Sequence, residues 1–247
     1  MEQQIYGDVC LGPAINGKAL TINNIMDQSK DNKMTENQAQ TPKQAGPDEQ
    51  GNLSIRGHIK IFDPETKEVI VDKPNAIHYE NFSIALAQSA SNYGQGWIAE
   101  MCFGNGGSRV DPTGIITYLT PNSVGVNANL YNQTYIKVVD SNSVNNLDPS
   151  RNFMNVRHTT GLPYTDIMIS CLLDFGEPAN QSAFDNATNY TGNYVFDELG
   201  LRAYNSNGAG TGNLLTHVIF HPVQKSLNRM LQIDYTIRIQ SLTTITG

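Results

Sequence analysis

The residues able to do chemistry are few in this 247-residue chain, and their spacing decides what they mean. Five histidines, His58, His78, His158, His217 and His221, raise the question of a metal. His217 and His221 stand four apart, which on a helix would put both rings on one face. They fall instead on the apolar run Leu214 to Phe220 and just past its end, with Pro222 closing the run, and no HExxH accompanies them. Three or four ligands must converge to hold a metal, so the expectation is no metal and no cofactor. GNGGSR (Gly104 to Arg109) and GAGTG (Gly208 to Gly212) look like phosphate loops. Such loops need a strand before them and a helix N-terminus after them. The strand-like LLTHVIF follows Gly212 and no GK[ST] occurs, so both read as inter-strand loops.

No serine sits in GxSxG, and Cys102 and Cys171 alternate with apolar neighbours as buried, inert thiols do. Cys10 stands apart, near the N-terminus. Glu80 and Glu100 could approach across a helix–strand contact. Asp197 and Glu198 are adjacent, so on a strand they point to opposite faces and cannot act together. No catalytic residue is expected. Within YVFDELGLRAY the acidic pair precedes Leu-Gly-Leu, and Gly200 marks a bulge or a close backbone approach. Asp197, Glu198 and Arg202 are then either parts of a sheet bend or candidate subunit contacts.

The elements that must position these residues are mostly strands. In LSIRGHIKIF, Leu53, Ile55, Gly57, Ile59 and Ile61 share one face, the mark of a half-buried strand. Asp63 to Lys67 forms a turn and Glu68 to Val71 returns as a hairpin. Phe82, Ala85, Leu86 and Ala90 give one helix over Tyr79 to Ser91. Trp97 to Phe103 alternates again, and a long loop follows. Further strands are expected over 133–139, 152–159, 164–175, 194–204, 214–220 and 230–240. Eight or nine strands with Gly, Asn and Pro turns imply a mainly β fold, an antiparallel β-sandwich over 53–247. Residues 1–52 hold a single aromatic, Tyr6, and the polar stretch 27–52 has no periodicity, so they read as an extended N-terminal arm.

Composition narrows the class. The formal charge is −7, and only 16 % of residues are charged. A nucleic-acid binder would carry a basic field, so no nucleic acid is expected. No apolar run reaches membrane-spanning length and the N-terminus shows no secretory signal. Six N-x-[ST] sequons, at Asn52, Asn81, Asn132, Asn180, Asn186 and Asn189, are unremarkable in a chain with 27 asparagines.

Four segments carry a resemblance: Gly57 to Ser89, FGNGG at Phe103 to Gly107, FDELGLRAY at Phe196 to Tyr204, and Leu214 to Ile239. Together they resemble structural proteins of tailed-bacteriophage virions. That resemblance implies a non-enzymatic protein that assembles as a homo-oligomer with other virion proteins, inside the host bacterial cytoplasm. Neck, tail or baseplate is the expected position, with capsid decoration as the alternative. A third reading comes from aromatics rather than resemblance. Trp97, Tyr93, Tyr118, Tyr131, Tyr135 and Tyr190 could stack on sugars in a carbohydrate-binding attachment module.

Overall fold

A computed structural model describes residues 52–178 and 193–242. The expected arm, apart from Asn52, lies outside the described residues, as do Cys10, Tyr190, Asn180, Asn186 and Asn189. The alternation read in the first strand is realised as β1 (Leu53–Phe62), where Ile55, Gly57, Ile59 and Ile61 are buried and Arg56 and His58 are exposed. Asp63 ends it by accepting the backbone N–H groups of Glu65 and Thr66 on Oδ1. That turn returns the chain into β2 (Val69–Ile77). The remaining elements are the helix α1 (Tyr79–Ala90), β3 (Ile98–Gly104), β4 (Ser108–Val110), β5 (Ile116–Tyr118), β6 (Gln133–Val138), β7 (Phe153–His158), β8 (Tyr164–Leu173), β9 (Asn193–Ala203), β10 (Leu214–Ser226) and β11 (Leu231–Ser241).

Nine strands form one antiparallel sheet in the order β6-β3-β9-β10-β2-β1-β11-β8-β7, curled into a sandwich, and β4 and β5 form a separate hairpin. The sandwich therefore matches the fold expected from the sequence. β2 belongs to both layers. Its residues up to Asn75 pair with β1, and Ala76 and Ile77 pair with β10. At the crossover the Asn75 side chain lies over Gly57, where a Cβ would fall 1.8 Å from Asn75 Oδ1, so any larger residue would have to displace that amide.

The core lies between the layers. Ile59, Ile61, Ile169, Ile233 and Tyr235 from one meet Met101, Phe103, Phe196, Leu215 and Phe220 from the other. Phe196 contacts both Phe103 and Phe220 edge-on, at centroid distances of 5.5 and 5.8 Å, the geometry that aromatic quadrupoles favour. The Tyr235 hydroxyl donates to Thr216 Oγ1 at 2.7 Å, and Thr216 Oγ1 also accepts from Leu201 N–H. Thus a buried polar pair ties the two layers at a defined height. α1 begins at His78, whose Nδ1 accepts from Asn81 N–H, and it turns Phe82 and Ala85 inward.

Three expectations are corrected. All seven residues of β3 are buried, instead of alternate ones. Its outer face is covered as well, because Cys102 packs with Leu130 and Leu214 in a second small cluster. Pro222 does not end the penultimate strand; β10 runs on to Ser226 past a register shift between Ile219 and Val223, the kind of irregularity that tolerates proline. The long loop after β3 contains the β4–β5 hairpin, so eleven strands stand among the described residues rather than eight or nine.

Candidate functional site

The chemistry-bearing residues converge at one end of the layer formed by β3, β9 and β10. Glu198 is wholly buried on β9. Its Oε1 accepts the N–H groups of Gly106 (3.0 Å) and Asn132 (2.8 Å). Its Oε2 accepts Tyr131 N–H (2.9 Å) and His217 Nε2–H (3.0 Å). Four bonds fill the acceptor capacity of a carboxylate. Burial pushes its pKa up, but the bonds from His217, Asn132, Tyr131 and Gly106 outweigh that and hold it below the usual value. Asp197, also buried, takes Gly107 N–H at 2.9 Å on Oδ1, and both the N–H (2.7 Å) and the hydroxyl of Ser108 on Oδ2.

Both neighbours therefore hold the same loop, each as an acceptor for its backbone. Between them they bind three successive amides, Gly106, Gly107 and Ser108. The β9–β10 register shift lies beside Asp197, between the pairs Glu198↔Ile219 and Phe196↔Val223. Glycines are required in this loop. A Cβ at Gly104 would lie 2.5 Å from Glu198 Oε1, and one at Gly106 would lie 2.6 Å from Tyr131 Cβ.

The second glycine-rich loop behaves alike. Gly210 N–H donates to Glu100 Oε2 at 2.8 Å, and Gly212 C=O accepts from Arg202 Nη1 at 2.7 Å. Arg202 also donates to Gln133 Oε1 and Asn129 Oδ1, at 2.8 and 2.6 Å. Burial raises the Glu100 pKa, against the lowering effects of the Gly210 bond and the Arg202 charge. Both loops that look like phosphate cradles thus direct amides at anions, and those anions are the chain's own carboxylates. Asp197, Glu198 and Arg202, expected as candidate subunit contacts, are 3 %, 0 % and 4 % exposed and bonded within their own chain.

His217 resembles the base of a His–Glu dyad, yet its Nδ1 accepts Asn122 N–H at 2.8 Å. With Nε2–H on Glu198, both ring nitrogens are used, and the ring is fully buried. His78 is likewise buried, with Nδ1 on Asn81 and Nε2 facing Gly125 C=O at 2.9 Å. His58 pairs with Asp72 on the surface, His158 faces Tyr164 C=O and Thr165, and His221 meets the Tyr118 hydroxyl. No group of three or more metal-ligating side chains occurs among the described residues. Glu80 lies exposed on α1 while Glu100 is buried on β3. Cys102 and Cys171 are fully buried, and burial pushes each thiol up to about 12, far from the reactive range.

The candidate stacking residues scatter. Tyr135 is a core residue, so it cannot serve as a platform. Trp97 lies parallel to Tyr204 at 4.4 Å, each 37 % exposed, and donates to Asp140 Oδ2. Tyr131 bonds Thr120 C=O, and Tyr93 is largely exposed.

The clefts differ in character. One, about 340 Å³, holds the ion pairs Lys137–Glu177 and Arg151–Asp174. Beside Glu177, buried Lys225 donates to three carbonyls, those of Asp174, Glu177 and Ser226, at 2.8–2.9 Å. Burial lowers its pKa to about 8. Sequence reasoning missed Lys225, because the strand was expected to end before Pro222 and a lysine beyond its end reads as solvated. Another cleft, about 370 Å³, is an apolar groove between α1 and the flank of β7 and β8, lined by Phe82, Leu86, Trp97, Met154, Val156 and Ile167. Among the described residues β7 is an outer strand, paired only with β8.

No family model, curated protein or solved structure matches this chain.

Proposed function

We propose that this chain is a non-enzymatic structural protein of a tailed-phage virion, built into a ring of its own copies in the neck, tail or baseplate. The observation that carries the reading is the internal use of its chemical groups. Asp197, Glu198, Arg202 and His217 are buried and bonded to backbone and side chains of the same chain. What the body offers outward is recognition surface: an outer strand, an apolar groove, and polar loops that can hydrogen-bond without desolvating charges. The resemblance of residues 57–89, 103–107, 196–204 and 214–239 to virion proteins supplies the context. Partners are further copies and other virion proteins, and capsid decoration is the alternative position.

The test is the mass and symmetry of the full chain, by light scattering and negative-stain imaging. A closed ring is expected. A monodisperse monomer at every concentration overturns self-assembly, and a monomer that binds only to preformed capsid lattices favours decoration. The exposed Trp97–Tyr204 stack favours a second reading, a glycan-binding attachment module. Saturable binding on a glycan array that Trp97→Ala abolishes would establish it.

A further inference from the structure

We infer that the groove between α1 and the β7–β8 flank binds a neutral sugar carrying an acetamido group. This rests on the second, glycan-binding reading and names its site and its class of sugar.

Asp140 builds one end of the groove. It is buried, and its two oxygens serve different partners. Oδ2 accepts the Trp97 indole N–H at 2.9 Å, and Oδ1 accepts Asn142 N–H at 2.9 Å. One carboxylate thus fixes an aromatic plate beside the loop that carries Ser141 and Asn142. Tyr204 covers one face of the indole, and its own N–H donates to Trp97 C=O at 2.7 Å. A plate held in this way is ordered before a ligand arrives, so binding spends little on ordering it.

The polar side chains here are unlike those around Glu198 and Arg202, which are consumed within the chain. Ser89, Ser141 and Asn142 line the groove, and their side chains have no hydrogen-bond partner among the described residues. They offer two hydroxyls and an amide, groups that both donate and accept. No ionisable side chain lines the groove. A charged ligand would give up hydration there without meeting a counter-charge, so the ligand is neutral.

The rest of the lining selects among neutral sugars. Leu86, Met154, Val156 and Ile167 form an aliphatic wall facing Trp97 across about 370 Å³. That volume lies near the lower end of small-molecule sites, roughly 300–1,000 Å³. A plain hexose would lay its C–H face on the indole and its hydroxyls on Ser89, Ser141 and Asn142, and would leave the wall unfilled. An acetamido group adds a methyl for the wall and an amide that can pair with Asn142.

The test is saturation-transfer NMR on the full chain with N-acetylglucosamine and N-acetylgalactosamine, each beside its parent hexose. The strongest transfer is expected at the acetyl methyl, with glucose and galactose binding about tenfold or more weaker. Val156→Trp fills the groove from a position 74 % exposed and should abolish the signal, whereas Val110→Trp, on the β4–β5 hairpin outside the groove, should keep it. Asn142→Ala should weaken binding with no change in the thermal transition of the body. Parent hexoses binding as well as the acetamido sugars, or undiminished binding by Val156→Trp, overturns this assignment. Glycans that need Trp97 but carry no acetamido group overturn it too and leave the glycan-binding reading standing. A chain that binds neither these sugars nor any glycan on an array removes both readings together.

Discussion

Glu198 shows how much one side chain can organise. It accepts from His217 on the neighbouring strand, from Gly106 after β3, and from Tyr131 and Asn132 before β6. Removing its charge leaves buried amides facing an amide nitrogen, and breaking a buried charged network costs about 3–5 kcal/mol. Glu198→Gln should therefore lower the melting temperature by roughly 6–20 °C, readable by circular dichroism. Gly200 is constrained as tightly, since a Cβ there would lie 2.5 Å from Thr216 C=O and 2.7 Å from Leu214. Gly200→Ala should cost about 1–3 kcal/mol in urea denaturation. The sequence marked Gly200 as a bulge or close approach, and close approach is what the fold uses. It could not mark the loop that Glu198 holds, because Gly106 is 92 positions away and no periodicity encodes such a distance.

At the scale of elements, the β7–β8–β11 flank depends on Asp166. This carboxylate is 1 % exposed on β8 and accepts Arg238 Nε and Nη2 from β11 at 2.7 and 2.9 Å, with Arg157 of β7 at 3.5 Å. The Arg238 hydrogen bonds lower its pKa; burial opposes them, and the charges of Arg238 and Arg157 add to the lowering. A depressed pKa in the folded state means that the stabilisation is complete above the ordinary value near 3.8 and is lost as pH falls through the folded value. Asp166→Asn should therefore be less stable than wild type at pH 7, by about 2–4 kcal/mol, and the gap should close towards pH 2 in denaturant titrations. Strands of this layer were legible because one face is buried and the other exposed, so Leu231, Ile233, Tyr235, Ile237 and Ile239 alternate with Gln232, Asp234, Thr236, Arg238 and Gln240. β3 was legible as a strand but not in its environment. Its outer face is covered by the segment that carries Leu130, and a local pattern does not reveal what covers it. The passage of β10 through Pro222 was hidden because a proline at a register shift looks in sequence like the end of a strand.

For the molecule as a whole, the sandwich could be read from the spacing of its strands, whereas its site could not. Metal and nucleotide motifs depend on short spacings, and the expectation against them came from those spacings. The network of Asp197, Glu198, Arg202 and His217 comes from topology, which brings β3, β9, β10 and two loops to one end. The strand β2, paired to β1 along most of its length and to β10 at Ala76 and Ile77, has a further consequence. The two layers are not independent leaves pressed together by their apolar faces. Since they share a strand, peeling one layer off must also break hydrogen bonds that anchor the other. Melting of the body should then be all-or-none, with calorimetric and van't Hoff enthalpies equal. Ala76→Pro, which removes an N–H at that joint, should split the transition into two, turning a single cooperative unit into a pair of loosely coupled halves.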